Sequence, residues 1–373
     1  MSYLSSIRFL DSFLNLEQFH RPQSRVWNLK RMRDLYRIFG HPEKDIFTVV
    51  VGGTKGKGST AYFLSEILRC SGLRAGFYHS PHLEGPTERI WINGKPVSKK
   101  DFAVGLLKIE KTLRRAGSFE FTYFEILTLL ASLLFKEKKM QAAVFEVGMG
   151  GRLDATHVLP SKLFLLTPIH FDHEAYLGHT LGAIAAEKAA ILSPGREVVV
   201  APQDPAVFRV IQKFARERGC PVFSPLYRKD IPIKLLGDFQ KLNAAMAFRA
   251  AQILKKKYRF PITEKALRLG VSSNHWPGRM ELFKLRSGAS VLLDGAHNPK
   301  SIETLSRNLK TLFPHRRKIL IFGTSRDKRS DRMLPLLSKT ASFCILTRSQ
   351  NSRSKEVASL LSEARGKFPV LVP

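Results

Sequence analysis

Glycines and a lysine set between a β-branched run and an amphipathic stretch make a cradle for phosphate. Gly53-Thr54-Lys55-Gly56-Lys57-Gly58-Ser59 follows Thr48-Val49-Val50-Val51 and leads into Ser59–Leu68, whose apolar residues recur at helical spacing. Glycines let the backbone amides of such a turn point inward, and the positive end of a helix adds to their pull on an anion. In that role Gly53, Thr54, Gly56 and Gly58 supply the cradle, Lys57 reaches the transferred phosphoryl group, and the Ser59 hydroxyl holds Mg2+. The spacing departs from G-x-x-x-x-G-K-S/T, because Val51 stands at the first glycine and Gly58 where the hydroxyl residue belongs.

A second apolar run ends in Glu146-Val147-Gly148-Met149-Gly150-Gly151-Arg152-Leu153-Asp154. A carboxylate at the C-terminal edge of a parallel strand stands where ligands bind, so Glu146 is a candidate Mg2+ ligand. The same glycines do not satisfy G-x-G-x-x-G, which argues against a dinucleotide site. A third run, Leu165-Leu166-Thr167, gives way to Pro168-Ile169-His170-Phe171-Asp172-His173, and His173 becomes a metal or phosphate contact. In Ala186-Glu187-Lys188-Ala189-Ala190 the small neighbours leave two possibilities open, a surface charge or a buried, tuned amine.

These residues need a scaffold that brings strand ends together. Strands are expected at Ile46–Val51, Ala75–Tyr78, Ala142–Val147, Lys162–Thr167, Glu197–Ala201, Ser290–Leu293, Lys318–Phe322 and Ser342–Leu346, most of them continuous Val/Ile/Leu/Phe runs of the kind buried on both faces. Helices are expected at Ser59–Cys70, Phe121–Lys136, Ala183–Ile191 and Asn243–Lys255. The alternation is that of an α/β protein with a mostly parallel, P-loop-type sheet flanked by helices. A polar stretch, Ser272-Ser273-Asn274-His275-Trp276-Pro277-Gly278-Arg279, precedes a second, smaller Rossmann-like α/β unit, which puts the boundary near 275–280 and divides the chain into 1–275 and 276–373.

Bulk properties narrow the partners. The 61 Lys+Arg against 31 Asp+Glu give +30, which favours anionic ligands. Basic patches such as Lys30-Arg31-Met32-Arg33, Lys255-Lys256-Lys257 and Arg316-Arg317-Lys318 are read as solvated faces, because no aromatic-interleaved nucleic-acid module accompanies them. Cys70, Cys220 and Cys344 lack C-x-x-C spacing, which argues for reduced thiols over disulfides or structural zinc. Neither a signal peptide nor a membrane-length apolar run is found, so a soluble, cytoplasmic protein is expected.

Taken in order, the motifs resemble the folylpolyglutamate synthase and dihydrofolate synthase family, a branch of the Mur ligases. The series is residues 53–59, Ser80-Pro81-His82-Leu83, Glu88-Arg89-Ile90, Glu146 to Asp154 with Ala155-Thr156, Asp172-His173 with Leu177-Gly178, Glu187-Lys188-Ala189, Gln240 with Asn243-Ala244, Pro277-Gly278-Arg279 and Asp294-Gly295-Ala296-His297-Asn298-Pro299. The resemblance implies an ATP-binding Mur-type central domain at 1–275 and a C-terminal ligase domain at 276–373, shortened at its end. It implies ATP-dependent joining of glutamate to dihydropteroate or to a folate carboxylate through an acyl phosphate, by a monomer that uses Mg2+, with no membrane or specific nucleic-acid partner. It also implies that Ser59, Glu146 and His173 are the metal ligands, that Lys57 is the phosphate lysine and that Lys188 is carbamylated. Asn243 resembles the adenine contact, Arg279, Asp294 and His297 resemble the phosphate and ribose contacts of the second domain, and Ser80–Leu83 resembles a mobile segment near the pterin pocket.

Departures from the family pattern are Lys55, Phe239 and His157 in place of asparagine, histidine and asparagine, together with Glu84-Gly85-Pro86-Thr87. They leave an ATP-binding paralogue without ligase activity as the alternative. A basic nucleic-acid-binding NTPase would account for the charge, but it finds no helicase or RNA-binding signature.

Overall fold

Apolar runs covered by helices on both sides form the central sheet. The computed structural model describes residues 2–15, 28–117, 120–272, 276–341, 343–351 and 353–372. Strands β1 (Phe47–Gly52), β2 (Ala75–Tyr78), β3 (Ile90–Ile92), β4 (Lys95–Pro96), β5 (Ala142–Glu146), β6 (Leu163–Leu166), β7 (Glu197–Val200) and β8 (Val222–Phe223) make one sheet in the order β4-β3-β2-β5-β1-β6-β7-β8. Pairing is parallel from β2 to β8, and β3 and β4 are antiparallel additions at one edge.

Alternate residues of each strand enter different cores. Val50, Phe145 and Phe164 pack on one face with Ile126, Leu130 and Ile184, whereas Val49, Val51, Val144 and Leu165 pack on the other with Phe63, Leu64 and Phe248. Each fully buried side chain of this kind contributes roughly 1.5–3 kcal/mol. Register then positions the chemistry: Val51 lies opposite Glu146, and Gly52 lies opposite Leu166. The loops after β1, β5 and β6 therefore leave the sheet at the same edge.

The expected strands agree with the observed ones to within one residue, and Ser342 lies outside the described residues. Helix starts differ for local reasons. The helix Tyr123–Glu137 begins after Thr122, whose hydroxyl accepts the Glu125 amide at 3.2 Å while the Glu125 carboxylate accepts the Thr122 amide at 2.7 Å, a reciprocal cap. Leu181–Ala189 begins after Thr180, whose hydroxyl accepts the Ala183 amide at 3.1 Å. The helices Lys99–Ala116 and Pro205–Glu217 are not among the expected ones.

The chain forms two compact units, the first closing with Gln240–Pro277 and the second comprising Leu236–Phe239 and the residues from Gly278 onward. Of the polar stretch between the α/β runs, Ser273, Asn274 and His275 lie outside the described residues. In the second unit β9 (Glu281–Lys284) pairs antiparallel with β10 (Ser290–Leu293), and β11 (Ile319–Phe322), β12 (Phe343–Leu346) and β13 (Val370–Val372) form a parallel sheet in that order. The run at 290–293 is thus not a strand buried on both faces. It is one arm of a hairpin with Val291 and Leu293 exposed, and Ile319 and Ile321 of β11 are exposed as well. Among the described residues no helix is long and apolar enough to cross a membrane.

Candidate active site

The turn after β1 is built from glycines that no other residue replaces. Gly53 (φ +127°) and Gly56 (φ +84°) adopt left-handed backbone, and a Cβ at Gly53 would lie 2.1 Å from Thr167 Oγ1, one at Gly56 2.2 Å from Asn243 Oδ1. Gly56 is the N-cap of the helix Lys57–Cys70 and brings no side-chain cap, so the first turn of that helix presents backbone amides to an anion. The Thr54 and Lys55 amides are directed elsewhere, both donating to the Pro168 carbonyl at 3.0 and 3.1 Å. Thr54 also exchanges hydrogen bonds with the His170 backbone, which ties the phosphate turn to the loop after β6.

Glu146 closes the other side. Glu146 is 4% exposed, and its carboxylate lies 4.0 Å from Lys57 Nζ and accepts the Ser80 amide at 3.3 Å. Gly58 lies beneath it: a Cβ there would stand 3.2 Å from Glu146 Oε2 and 3.3 Å from the Trp276 ring. Gly58 stands where a standard P-loop has its hydroxyl residue, and space explains it. Ser59, the next residue, is buried in the same helix turn.

Lys188 resolves the choice left by the sequence: it is 4% exposed, and its Nζ donates to the Gly53 carbonyl at 3.0 Å. Burial pushes its amine down to about 7, the Lys57 charge adds to this, and Asp172 and Asp154 oppose it. Its helix is held by the glycine-rich loop after β5. A Cβ at Gly151 would lie 2.8 Å from the Lys188 carbonyl oxygen, and the Arg152 amide donates to the Glu187 carbonyl at 2.8 Å. Asp154 braces that loop by accepting from the Thr156 amide, the Thr156 hydroxyl and the Met149 amide at 2.9, 2.6 and 3.1 Å. His173 adopts left-handed backbone at the start of the helix Glu174–Leu177, and its Nε2 is 3.9 Å from Asp172.

Asn243 is buried under the phosphate turn, where its amide nitrogen donates to Gln240 Oε1 at 2.8 Å and its oxygen faces the Thr60 hydroxyl at 3.5 Å. Phe239 packs on Gly237, and His157 Nδ1 lies 2.6 Å from the Arg152 carbonyl. In the second unit Arg279, Asp294 and His297 come together. Asp294 accepts from the Met280 and Ala296 amides at 2.9 Å each, His297 Nδ1 meets the Gly295 carbonyl at 2.7 Å, and a Cβ at Gly295 would stand 3.0 Å from Arg279 Nη1. Burial pushes the Asp294 carboxyl up, against the pull of the Met280 amide and the Arg279 charge.

Two supports carry no sequence signal. Gln203 accepts the Ile169 amide at 2.9 Å and donates to the Thr167 carbonyl at 3.1 Å, bracing the loop after β6 from 34 and 36 residues away in sequence. Trp276 stacks on Tyr62 with ring centres 4.8 Å apart, against the phosphate-loop helix. Among the described residues no three His, Cys, Asp or Glu side chains gather as a metal cage. Mg2+ does not require one, since it keeps waters and phosphate oxygens and takes one or two protein carboxylates. The buried Glu146 carboxylate beside a phosphate cradle fits that demand.

The match to known proteins follows this geometry. The Mur ligase middle domain matches residues 51–225, and the Mur ligase glutamate ligase domain matches residues 278–371. Fold and site together define an ATP-dependent ligase of the Mur type. The dihydrofolate synthase/folylpolyglutamate synthase of Bacillus subtilis is 34% identical over 342 residues, covering 84% of this chain and 79% of its own. The folylpolyglutamate synthase of Lacticaseibacillus casei is 31% identical, covering 84% and 78%. The structure of Mycobacterium tuberculosis folylpolyglutamate synthase complexed with ADP aligns with a TM-score of 0.87 at 28% identity, over 100% of this chain and 88% of that one. A folylpolyglutamate synthase–AMPPCP–folate complex aligns with a TM-score of 0.85 at 28% identity, over 100% and 96%. The chain belongs to the folylpolyglutamate synthase/dihydrofolate synthase family of the Mur ligase superfamily.

Proposed function

We propose that this chain adds L-glutamate to dihydropteroate, to the γ-carboxylate of a reduced folate, or to both, with ATP converted to ADP and phosphate. The observation that carries the proposal is the Glu146 carboxylate facing Lys57 above Gly58, at the uncapped start of the helix Lys57–Cys70. ADP, AMPPCP and folate in the complexes of similar enzymes support the substrate classes.

A carboxylate does not react with an amine until one of its oxygens becomes a leaving group. In the proposed sequence a substrate carboxylate oxygen attacks the γ-phosphorus, the bond to the β-γ bridging oxygen breaks and ADP leaves. The glutamate amine then attacks the acyl carbon, phosphate departs and the nitrogen loses a proton. Lys57 and the amides at the helix start hold the phosphoryl oxygens in line, and fixed cationic and dipolar groups of this kind stabilise the charge that spreads over them. Ser59, Glu146 and His173 would hold Mg2+, which neutralises phosphate charge when bound. Lys188, held near neutrality, is suited to take up carbon dioxide as a carbamate with loss of a proton. Arg279, Asp294 and His297 are assigned to the nucleotide phosphates and ribose and Asn243 to adenine, on their motif positions. The enzyme is proposed to act as a cytoplasmic monomer.

Phosphate release measured with each substrate omitted in turn tests the proposal. Release is expected only with ATP, glutamate and an acyl substrate present together; ATP binding without coupled release under any combination would establish the inactive paralogue instead.

A further inference from the structure

The helix that carries Lys188 is built mostly of small residues. Along Leu181–Ala189 the neighbours of Lys188 are chiefly alanine and glycine, and Ile184 is the large apolar side chain that the helix buries completely. Interlocking side chains fix how two packed helices lie along each other, and alanine methyl groups offer little to interlock. Polar ties at the helix ends must then decide where the Lys188 amine meets the Gly53 carbonyl, to which it donates at 3.0 Å.

The carbonyls at the end of a helix lack partners within it, so each tie there can be traced. The Ala186 carbonyl accepts the Ala190 amide at 3.0 Å, that of Glu187 the Arg152 amide at 2.8 Å and that of Ala189 the Leu192 amide at 3.1 Å. The next carbonyls go to a distant side chain: Arg218 Nη1 donates to Ala190 at 2.7 Å and to Leu192 at 2.6 Å, which engages both hydrogens of that nitrogen. Arg218 is itself held in place. Its carbonyl accepts the Gly195 amide at 2.8 Å, its guanidinium carbon lies 5.2 Å from the centre of the Phe214 ring, and Cys220 Sγ donates to the Ser193 carbonyl at 3.3 Å. The charge is also favoured there, since the C-terminal end of a helix is its negative end. Arg218 touches the backbone beyond Ala189 and not the amine; the charges that act on the amine are those of Lys57, Asp172 and Asp154.

We propose that Arg218 is a positioning residue for the ligation: by holding the Ala190 and Leu192 carbonyls it fixes how the helix Leu181–Ala189 lies against the phosphate turn, and so where the Lys188 amine stands. The part in ligation rests on the function proposed above; the placement of the amine does not. Without Arg218 the Ala190 and Leu192 carbonyls need other donors, the helix end loosens and Lys188 is no longer kept from water.

Lysine side-chain NMR of the full chain, in buffer free of carbon dioxide, follows the Lys188 amine through its titration. In the wild type the midpoint is expected at about 7. Arg218→Met keeps most of the stem and loses the donors and the charge. It is expected to raise the midpoint by about one pH unit as water reaches the amine, and to lower kcat about tenfold with KM for ATP unchanged. Arg218→Lys keeps the charge on a shorter stem without the fork of donors, and both readouts are expected to fall between wild type and Arg218→Met. Thr122→Ala, which weakens a different helix, is expected to leave the midpoint and kcat at their wild-type values, and this separates loss of position from loss of stability. Where Arg218→Met fails to fold, Arg218→Lys decides. A wild-type midpoint in the folded Arg218 variants overturns the positioning role. A raised midpoint with unchanged kcat overturns its part in the ligation. Failure of the proposed function appears separately, as absence of turnover in the wild type.

Discussion

Lys188 is buried where an ammonium is costly, and this makes it a reporter of its own surroundings. Its amine is brought from an ordinary 10.5 to about 7 in the folded chain. Between those values the unfolded chain binds more protons, so the penalty that Lys188 imposes on folding is full below pH 7, shrinks as pH rises and is gone above 10.5. In urea titrations the stability difference between Lys188→Met and the wild type is expected to narrow steadily across that window; a difference independent of pH would show that the amine is not held neutral. Gly58 makes a complementary prediction. A methyl group there presses on the Glu146 carboxylate and the Trp276 ring, so Gly58→Ala is expected to lose roughly tenfold to a hundredfold in kcat with little change in melting temperature. Unchanged turnover would mean that Glu146 has no place in the reaction. The glycine turn between β1 and the helix Lys57–Cys70 was legible in the sequence because its requirements are local: glycine backbone, a lysine and a helix start. The burial of Lys188 was not, because it depends on Gly151 docking its loop against the helix and on Asp154 bracing that loop from within.

At the scale of elements, β1, β5 and β6 are legible because each is a continuous apolar run buried on both faces. The strands that periodicity passes over are short or lie at edges: β3 (Ile90–Ile92) and β4 (Lys95–Pro96) at one edge of the large sheet, β8 (Val222–Phe223) at the other, and β9 (Glu281–Lys284), one arm of the hairpin in the second unit. In the second unit the run at 290–293 reads like a buried strand, yet it pairs with β9 in a hairpin and leaves Val291 and Leu293 exposed. Apolar composition reports that a strand forms and says nothing of what covers it. The helix Tyr123–Glu137 depends on the cap between Thr122 and Glu125, and the Glu125 carboxylate also lies 3.6 Å from Arg31. Thr122→Ala is expected to cost about 1 kcal/mol by chemical denaturation, and Thr122→Ser to cost much less. Equal losses in the two variants would assign the effect to packing and not to the cap.

For the whole molecule, +30 is a large field for a chain whose proposed substrates are all anions. Such a field speeds encounter with ATP and the acyl substrate and is screened over about 8 Å at physiological salt. The expected outcome is a kcat/KM for ATP that falls as ionic strength rises while kcat changes little; a flat profile would mean that the charge serves another partner. The central claim, that a substrate carboxylate is phosphorylated at the site of Lys57 and Glu146 before glutamate attacks it, has its most direct test in oxygen transfer. Dihydropteroate lacks none of the required chemistry in its benzoate carboxylate, nor tetrahydrofolate in its γ-carboxylate, so each is supplied with heavy oxygen in that group together with ATP and glutamate. The account predicts, with at least one of them, a product heavier by one glutamyl residue and one labelled oxygen in the released phosphate. Product formed with no label in the phosphate would contradict it.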